Sequence, residues 1–244
     1  MLDVGGGDRP HPRAALVVDK YVADNFEREN DIDLAKPLVV ADGERLPFAD
    51  HAFAYVVASH VLEHATDPVR FASELARVGE AGFVQVPSQL AELTFGWPFH
   101  PWLVELEDGV LVFKPRNGQS APCGEFFHTM YARSPLMRAW FDAHRSEWHH
   151  SVHWRGTLGV RVEGHSNAPQ TAAFDVERSA AVLSAANAEG RVPELSEELR
   201  AQLRCPLCGG RIELSTDRAS CTDCHREFRV AGSVPLLLEE GLLA

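Results

Sequence analysis

At 244 residues, with 45% hydrophobic and 24% charged residues, the chain has the size and composition of one full α/β domain plus a small appendage. A net charge of −12 argues against broad, salt-dependent nucleic-acid binding, which needs clustered Lys and Arg, although it leaves room for a local basic groove. There is no apolar run long enough to span a membrane and no signal peptide, so the expectation is a cytoplasmic protein without a membrane partner.

Four apolar runs come first, and each delivers polar residues at its carboxyl end. Leu2-Asp3-Val4 runs into Gly5-Gly6-Gly7, and Ala15–Val18 runs into Asp19. Leu38–Ala41 runs into Asp42-Gly43, and Ala54–Ala58 into Ser59-His60. Such a series is what an open α/β sheet with a ligand crevice requires. The first connection, Gly7 to Asp19, holds little more than a helical turn, whereas parallel strands need about a dozen residues between them. The first strand also begins without a preceding helix, so either the crevice is open there or another segment folds over it. Residues 20–36 are rich in acids and asparagine and predict a short helix and a loop, with Tyr21, Val22, Phe26 and Ile32 as apolar handles. Phe48 and Phe53 fit core positions on a turn-rich connection.

Asp67 caps a helix with Pro68 in its first turn, Val69, Ala72, Leu75 and Val78 recur at helical spacing, and Gly79 ends it. Phe83–Pro87 is the fifth strand. Ser88–Pro115 reads as an insertion: an aromatic piece, Phe95 to Trp102, then a β-hairpin turning at Asp108-Gly109. The aromatic piece suits an acceptor-binding lid, an aromatic mini-core, or both. Glu125–Tyr131 and Ser134–His144 follow as helices. Glu147–Gly156 alternates as a strand and pairs in expectation with Leu158–Val162. Its histidines, His149, His150 and His153, lack a carboxylate at matching spacing, which favours a solvated strand face over a metal site. Ser166–Gln202 shifts in composition and reads as a helical linker.

Four of the five cysteines form two CxxC pairs, Cys205/Cys208 and Cys221/Cys224, across a stretch of hairpin length. Thiolates at this spacing suit tetrahedral Zn²⁺, and a closed four-thiolate site is structural rather than catalytic. His225 beside the second pair reads as a surface residue.

Two family resemblances follow from these residues. The strand ends, with Val40–Phe48 and Ser59-His60-Val61-Leu62-Glu63-His64, resemble class I S-adenosylmethionine-dependent methyltransferases, type 11-like, over residues 1–165. That resemblance implies a Rossmann-like, mostly parallel seven-stranded sheet closed by the antiparallel pair near residue 150, with S-adenosylmethionine as cofactor. It also implies site roles: Asp3 and Gly5, Gly6 and Gly7 hold the methionine end, Asp19 the ribose, Asp42 and Gly43 the adenine edge, and Ser59 and His60 the sulfonium. Lys20 and Glu44 complete that binding set. A dinucleotide site is disfavoured, because Asp8 stands where pyrophosphate charge would go. Arg9 replaces the usual last glycine, and the Gly-x-Gly-x-x-Pro form is similar to that of methyltransferases from sugar and natural-product gene clusters.

Residues 203–244 resemble the small zinc-binding activator subunit of tRNA and protein methyltransferases. This implies a module, joined through linker 166–202, that packs on the catalytic domain within the chain or from a symmetry mate in a homodimer. Candidate bases for an oxygen acceptor are His60, Glu63, His64, His100 and His128, with His128 and His100 favoured because they lie in acceptor-side residues 88–145. The signature of amino-group methylation, Asn-Pro-Pro-Tyr, is replaced by Val86-Pro87-Ser88, so the expected reaction is O-methylation of a small molecule, natural product or glycan precursor. The competing readings are a non-catalytic scaffold and an RNA or protein methyltransferase with its activator fused in cis.

Overall fold

The computed structural model describes residues 1–25, 28, 30–166 and 174–243. Four short strands come first: β1 (Leu2–Val4), β2 (Leu16–Asp19), β3 (Leu38–Ala41) and β4 (Val56–Ser59). They are buried on both faces, which is why they read as apolar runs rather than alternating strands. Helix α1 (Pro68–Val78) starts where Asp67 accepts the Arg70 amide at 3.0 Å. Its buried stripe is Pro68, Phe71, Ala72, Leu75 and Val78, whereas Val69, expected on that stripe, is exposed.

Strand β5 (Ala81–Pro87) leads into α2 (Gln89–Phe95), which Ser88 caps and which the sequence reading did not resolve from the insertion. Next come the hairpin β6 (Trp102–Glu107) and β7 (Val110–Pro115), with Asp108 and Gly109 at positive φ as an Asp-Gly turn requires. Helices α3 (Gly124–Arg133), α4 (Pro135–Ala143) and α5 (Arg145–Trp148) precede β8 (His149–Arg155) and β9 (Val160–Val162). Helices α6 (Val176–Ala188) and α7 (Glu197–Gln202) lead to β10 (Ile212–Leu214), β11 (Arg218–Cys221), β12 (Glu227–Ala231) and β13 (Val234–Leu237).

The principal sheet has ten strands in the order β10-β11-β12-β13-β3-β2-β1-β4-β5-β8. From β13 to β5 neighbours run parallel, while β8 and the β10–β13 meander pair antiparallel. The sheet is therefore mixed and larger than the seven-stranded one expected. The expected closing pair also separates. β8 lies antiparallel on β5, but β9 pairs in parallel with β7 in a second, three-stranded sheet.

Among the described residues, the connections 5–15, 20–37 and 42–55 contain no helix, so the short helix expected after Asp19 is not formed there; Phe26 lies outside the described residues. A parallel sheet still needs both faces covered. On one face the cover comes from the linker: Ala180, Leu183 and Ala186 of α6 pack with Val17, Leu38, Val40 and Leu236. On the other face α1, Trp102 and Phe113 join Phe48, Leu203 and Phe228 over Leu16, Val18 and Val39. The chain beyond residue 166 thus shares both cores with the first half. A third cluster, Ala91, Phe95, Phe141 and Trp148, with Trp97 packed against it, makes the start of the aromatic piece a mini-core with α2–α5, while Trp102 at its end belongs to the main core.

Candidate active site

The carboxyl ends of β1–β4 open onto one crevice, the place where open α/β sheets bind ligands. Gly5 has φ +73° and Gly7 has φ +55°, conformations that favour glycine. A Cβ on Gly5 would lie 2.5 Å from Val61 Cγ2. The Gly7 amide donates to Asp19 Oδ2 at 3.0 Å, and the Tyr21 amide donates to Oδ1 at 2.9 Å. Arg28 Nη1 lies 3.7 Å from Asp19 Oδ1, and the same guanidinium donates to the carbonyls of Tyr21, Val22 and Asp24. The β2 end is therefore a fixed carboxylate with a cation beside it.

At the β3 end, Lys20 Nζ donates to Asp42 Oδ2 at 2.7 Å and Asp42 Oδ1 accepts the Glu44 amide at 2.9 Å. Burial pulls the Lys20 pKa down, but the Asp42 carboxylate outweighs it and the net shift is upward. Glu44 accepts the amides of Thr66 and Asp67 at 2.7 and 2.9 Å, tying the rim to the start of α1. A Cβ on Gly43 would sit 2.2 Å from Phe71 Cζ, so the Phe71 ring fills the space behind the turn.

At the β4 end, His60 holds φ +56°, with Nδ1 3.4 Å from Glu63 Oε1 and Nε2 3.2 Å from Gln85 Oε1. Burial lowers its pKa, but the Glu63 carboxylate and Gln85 reverse the sign, and the net shift is upward. Glu63 is fully buried. Burial alone would raise its carboxyl, but His60, with His64 and His100 behind it, holds it at about 2. A second buried carboxyl, Glu92, meets His100 Nδ1 at 2.5 Å and Arg116 Nη1 at 3.2 Å. Burial and the Glu63 charge push Glu92 up to about 9.

In the C-terminal meander, Cys205 Sγ lies 3.9 Å from Cys224 Sγ, and Cys208 Sγ lies 3.5 Å from Cys221 Sγ. The Gly210 and Cys224 amides point at Cys208 and Cys221 sulfurs, at 3.4 and 3.5 Å. All four sulfurs lie within 4.8 Å of one another.

Residues 14–82 match a protein-family profile described as a methyltransferase domain. No curated protein matches the chain in sequence. Among solved structures, the chain is similar to the YcgJ protein of Bacillus subtilis at 20% identity, over 38% of this chain and 49% of that one, with a TM-score of 0.29. A putative methyltransferase of Bacillus halodurans C-125 matches at 23% identity, over 36% and 44%, TM-score 0.28. A chain in the complex of the Haloferax volcanii Trm112 methyltransferase activator with a putative methyltransferase matches at 15% identity, over 64% and 81%, TM-score 0.37. This chain spans less than half the length of the first two.

Within and around residues 14–82, the crevice gathers Gly5, Gly7, Asp19, Lys20, Asp42, Gly43, Glu44 and His60. Asp3, Gly6 and Ser59 of the expected cofactor set do not line it. Asp3 is buried and accepts the His11 amide at 2.6 Å, bracing the glycine turn from behind. The two favoured bases are also elsewhere. His100 is buried against Glu92, and His128 packs on Phe95 and Trp97 from α3. His64, Arg28 and Phe71 line the crevice without having been placed in the cofactor set. Arg28 carried a signal, as the lone cation between Lys20 and Lys36 in an acidic stretch.

Proposed function

We propose that the chain is an enzyme that transfers the methyl group of S-adenosylmethionine, with its C-terminal meander built around a structural zinc ion. The observation that carries this reading is the convergence of Gly5, Gly7, Asp19, Asp42 and Gly43, from three strands, on the crevice that runs past His60. The residues fit the cofactor's parts. Asp19, held by the Gly7 and Tyr21 amides, lines the crevice at the carboxyl end of the second strand, the position of a carboxylate that meets a ribose diol. Gly43 leaves the backbone bare for a flat ring edge, and Asp8 follows the glycine turn where the charge of a pyrophosphate would be unwelcome.

When bound, the cofactor supplies a methyl group on a sulfonium, activated for in-line displacement. The protein's part is to hold donor and acceptor close and aligned, which is where most of the acceleration can come from. His60 is the proposed base for an acceptor hydroxyl, because its ring sits at the crevice and Glu63 is placed to stabilise the imidazolium that forms. An oxygen acceptor on a small molecule or glycan precursor suits the β5 end. Ser88 there is committed, donating to the Glu147 carbonyl at 2.6 Å and capping α2.

Zinc fits the four cysteines. Tetrahedral Zn–S bonds of 2.3 Å imply sulfur–sulfur edges of about 3.8 Å, close to the 3.5 and 3.9 Å found. Such an ion would stiffen the meander without an open coordination position.

Calorimetry with S-adenosylmethionine and its demethylated product is the test. Binding is expected, with Asp19→Asn weakening it about 10- to 100-fold, the worth of a hydrogen bond to a charged group. No binding by the folded wild-type chain would leave the scaffold reading in its place.

A further inference from the structure

A second constellation of metal-ligating side chains lies beneath the crevice, far in sequence from the cysteines. One ligand atom each from Glu63, His64 and His100 falls within 4.8 Å of the others. Glu63 and His64 come from the turn after β4, and His100 comes from the loop between α2 and β6. The Glu63 side chain is fully buried, yet neither carboxylate oxygen accepts a hydrogen bond among the described residues. Its nearest cationic group is His60 Nδ1, at 3.4 Å from Oε1. A carboxylate buried so deeply calls for hydrogen bonds, an ion pair or a metal, and a single contact at 3.4 Å leaves most of that need unmet.

We propose that Glu63, His64 and His100 form a binding site for a borderline divalent cation of the Zn²⁺ class, distinct from the four-cysteine site. Two imidazoles and one carboxylate are the donor set of an open zinc site, which keeps a further position for water or a ligand. Bonds of 2.0–2.1 Å imply ligand edges of about 3.4 Å, so modest side-chain rotation closes the constellation. The two oxygens of Glu63 allow one to keep His60 while the other takes the cation. Glu92 supplies what ligating histidines commonly have, a carboxylate on the other ring nitrogen. Its Oε1 meets His100 Nδ1 at 2.5 Å; ionised on metal binding, it would accept the Nδ1 proton and leave the Nε2 lone pair to the cation. Arg116, 3.2 Å from Glu92 Oε2, holds that carboxylate in turn. His64 also lines the crevice, so the open position would face whatever occupies it. The inference does not rest on the methyl-transfer reading, and its test uses no cofactor.

The test is a Co²⁺ titration of tag-free full-length protein whose cysteine site has first been filled with one equivalent of Zn²⁺. Metal content and visible absorption are read together. A second equivalent is expected to bind with weak d–d bands and without the intense ultraviolet charge transfer of cobalt thiolates. Glu63→Gln and His64→Gln should each weaken it by about 100-fold or more, and Glu92→Gln by the 10- to 100-fold usual for outer-shell partners. His153→Gln, on the strand that carries the other histidines, should leave it unchanged. Circular dichroism identifies any variant that fails to fold, and the remaining ligand variant then decides. Binding of only one metal per chain, or a second equivalent lost in His153→Gln but kept in a folded ligand variant, would overturn the proposal.

Discussion

Gly43 sits where one added methyl group would decide whether the rim of the crevice closes. Its hypothetical Cβ falls 2.2 Å from the Phe71 ring, so Gly43→Ala is an overpacking change, expected to cost about 1–3 kcal/mol. Phe71→Ala removes the obstacle at the expense of a cavity. The pair should be non-additive in chemical denaturation, the double variant being more stable than the two single effects predict. His149 gives a pH signature. Burial, and then the neighbouring His60 charge, hold it at about 4 against about 6.5 in the unfolded chain. Because the folded pKa is the lower one, its contribution is complete above pH 6.5 and is lost as pH falls toward 4. Melting temperatures across that window should decline less steeply in His149→Gln; an unchanged slope would show that His149 does not titrate as described. At this scale the carboxylate rim was legible, since Asp19 and Asp42 stand directly after apolar runs. Glu92 and Arg116 were not. A buried ion pair 24 residues apart looks in sequence like two surface residues.

Among elements, β13 matters most. It lies parallel to β3, with Leu236 opposite Val40 and Leu237 opposite Ala41, and so covers what would be an open sheet edge. A second seam runs antiparallel nearby: Ala49 donates to the Gln202 carbonyl and Arg204 to that of Pro47, each at 2.9 Å. Deleting the chain after Gln202 removes β13 and the Arg204 half of the second seam, and the remainder should be insoluble; a soluble monomeric truncation that binds S-adenosylmethionine would refute this. Gly232 marks the contact with α6, where a Cβ would lie 2.3 Å from the Leu183 carbonyl oxygen at φ +54°. Gly232→Ala should therefore cost at least about 1–3 kcal/mol in denaturant titrations. That α6 covers the sheet was not legible in the linker composition, for a physical reason. Its buried stripe is largely alanine and serine on a helix with little contrast between faces, so the sequence shows no strong period. The partner of β9 was equally hidden, because an apolar triplet states its alternation and not its neighbour.

For the whole molecule, one sheet and two shared cores join the cysteine meander to the first half of the chain. The expectation of a module at 203–244 packed on residues 1–165 becomes the proposal that the two unfold together. Loading the four cysteines with Zn²⁺, as proposed, should raise a single melting transition, and a strong chelator should lower it again. Tryptophan fluorescence and far-ultraviolet dichroism should report the same midpoint. Each kcal/mol of stabilisation lost should move that midpoint by about 2–4 °C for a chain of this size. Two separate transitions would mean that the seam at β3 and β13 is weaker than its hydrogen bonding suggests.

The pairing of Leu236 with Val40 also sets a timetable for synthesis. Ribosomes add about 5–20 residues each second, so β3 waits roughly 10–40 s for the neighbour that completes its hydrogen bonds. During that interval the nascent chain displays a strand edge beside an unfinished apolar face, a natural target for ribosome-associated chaperones.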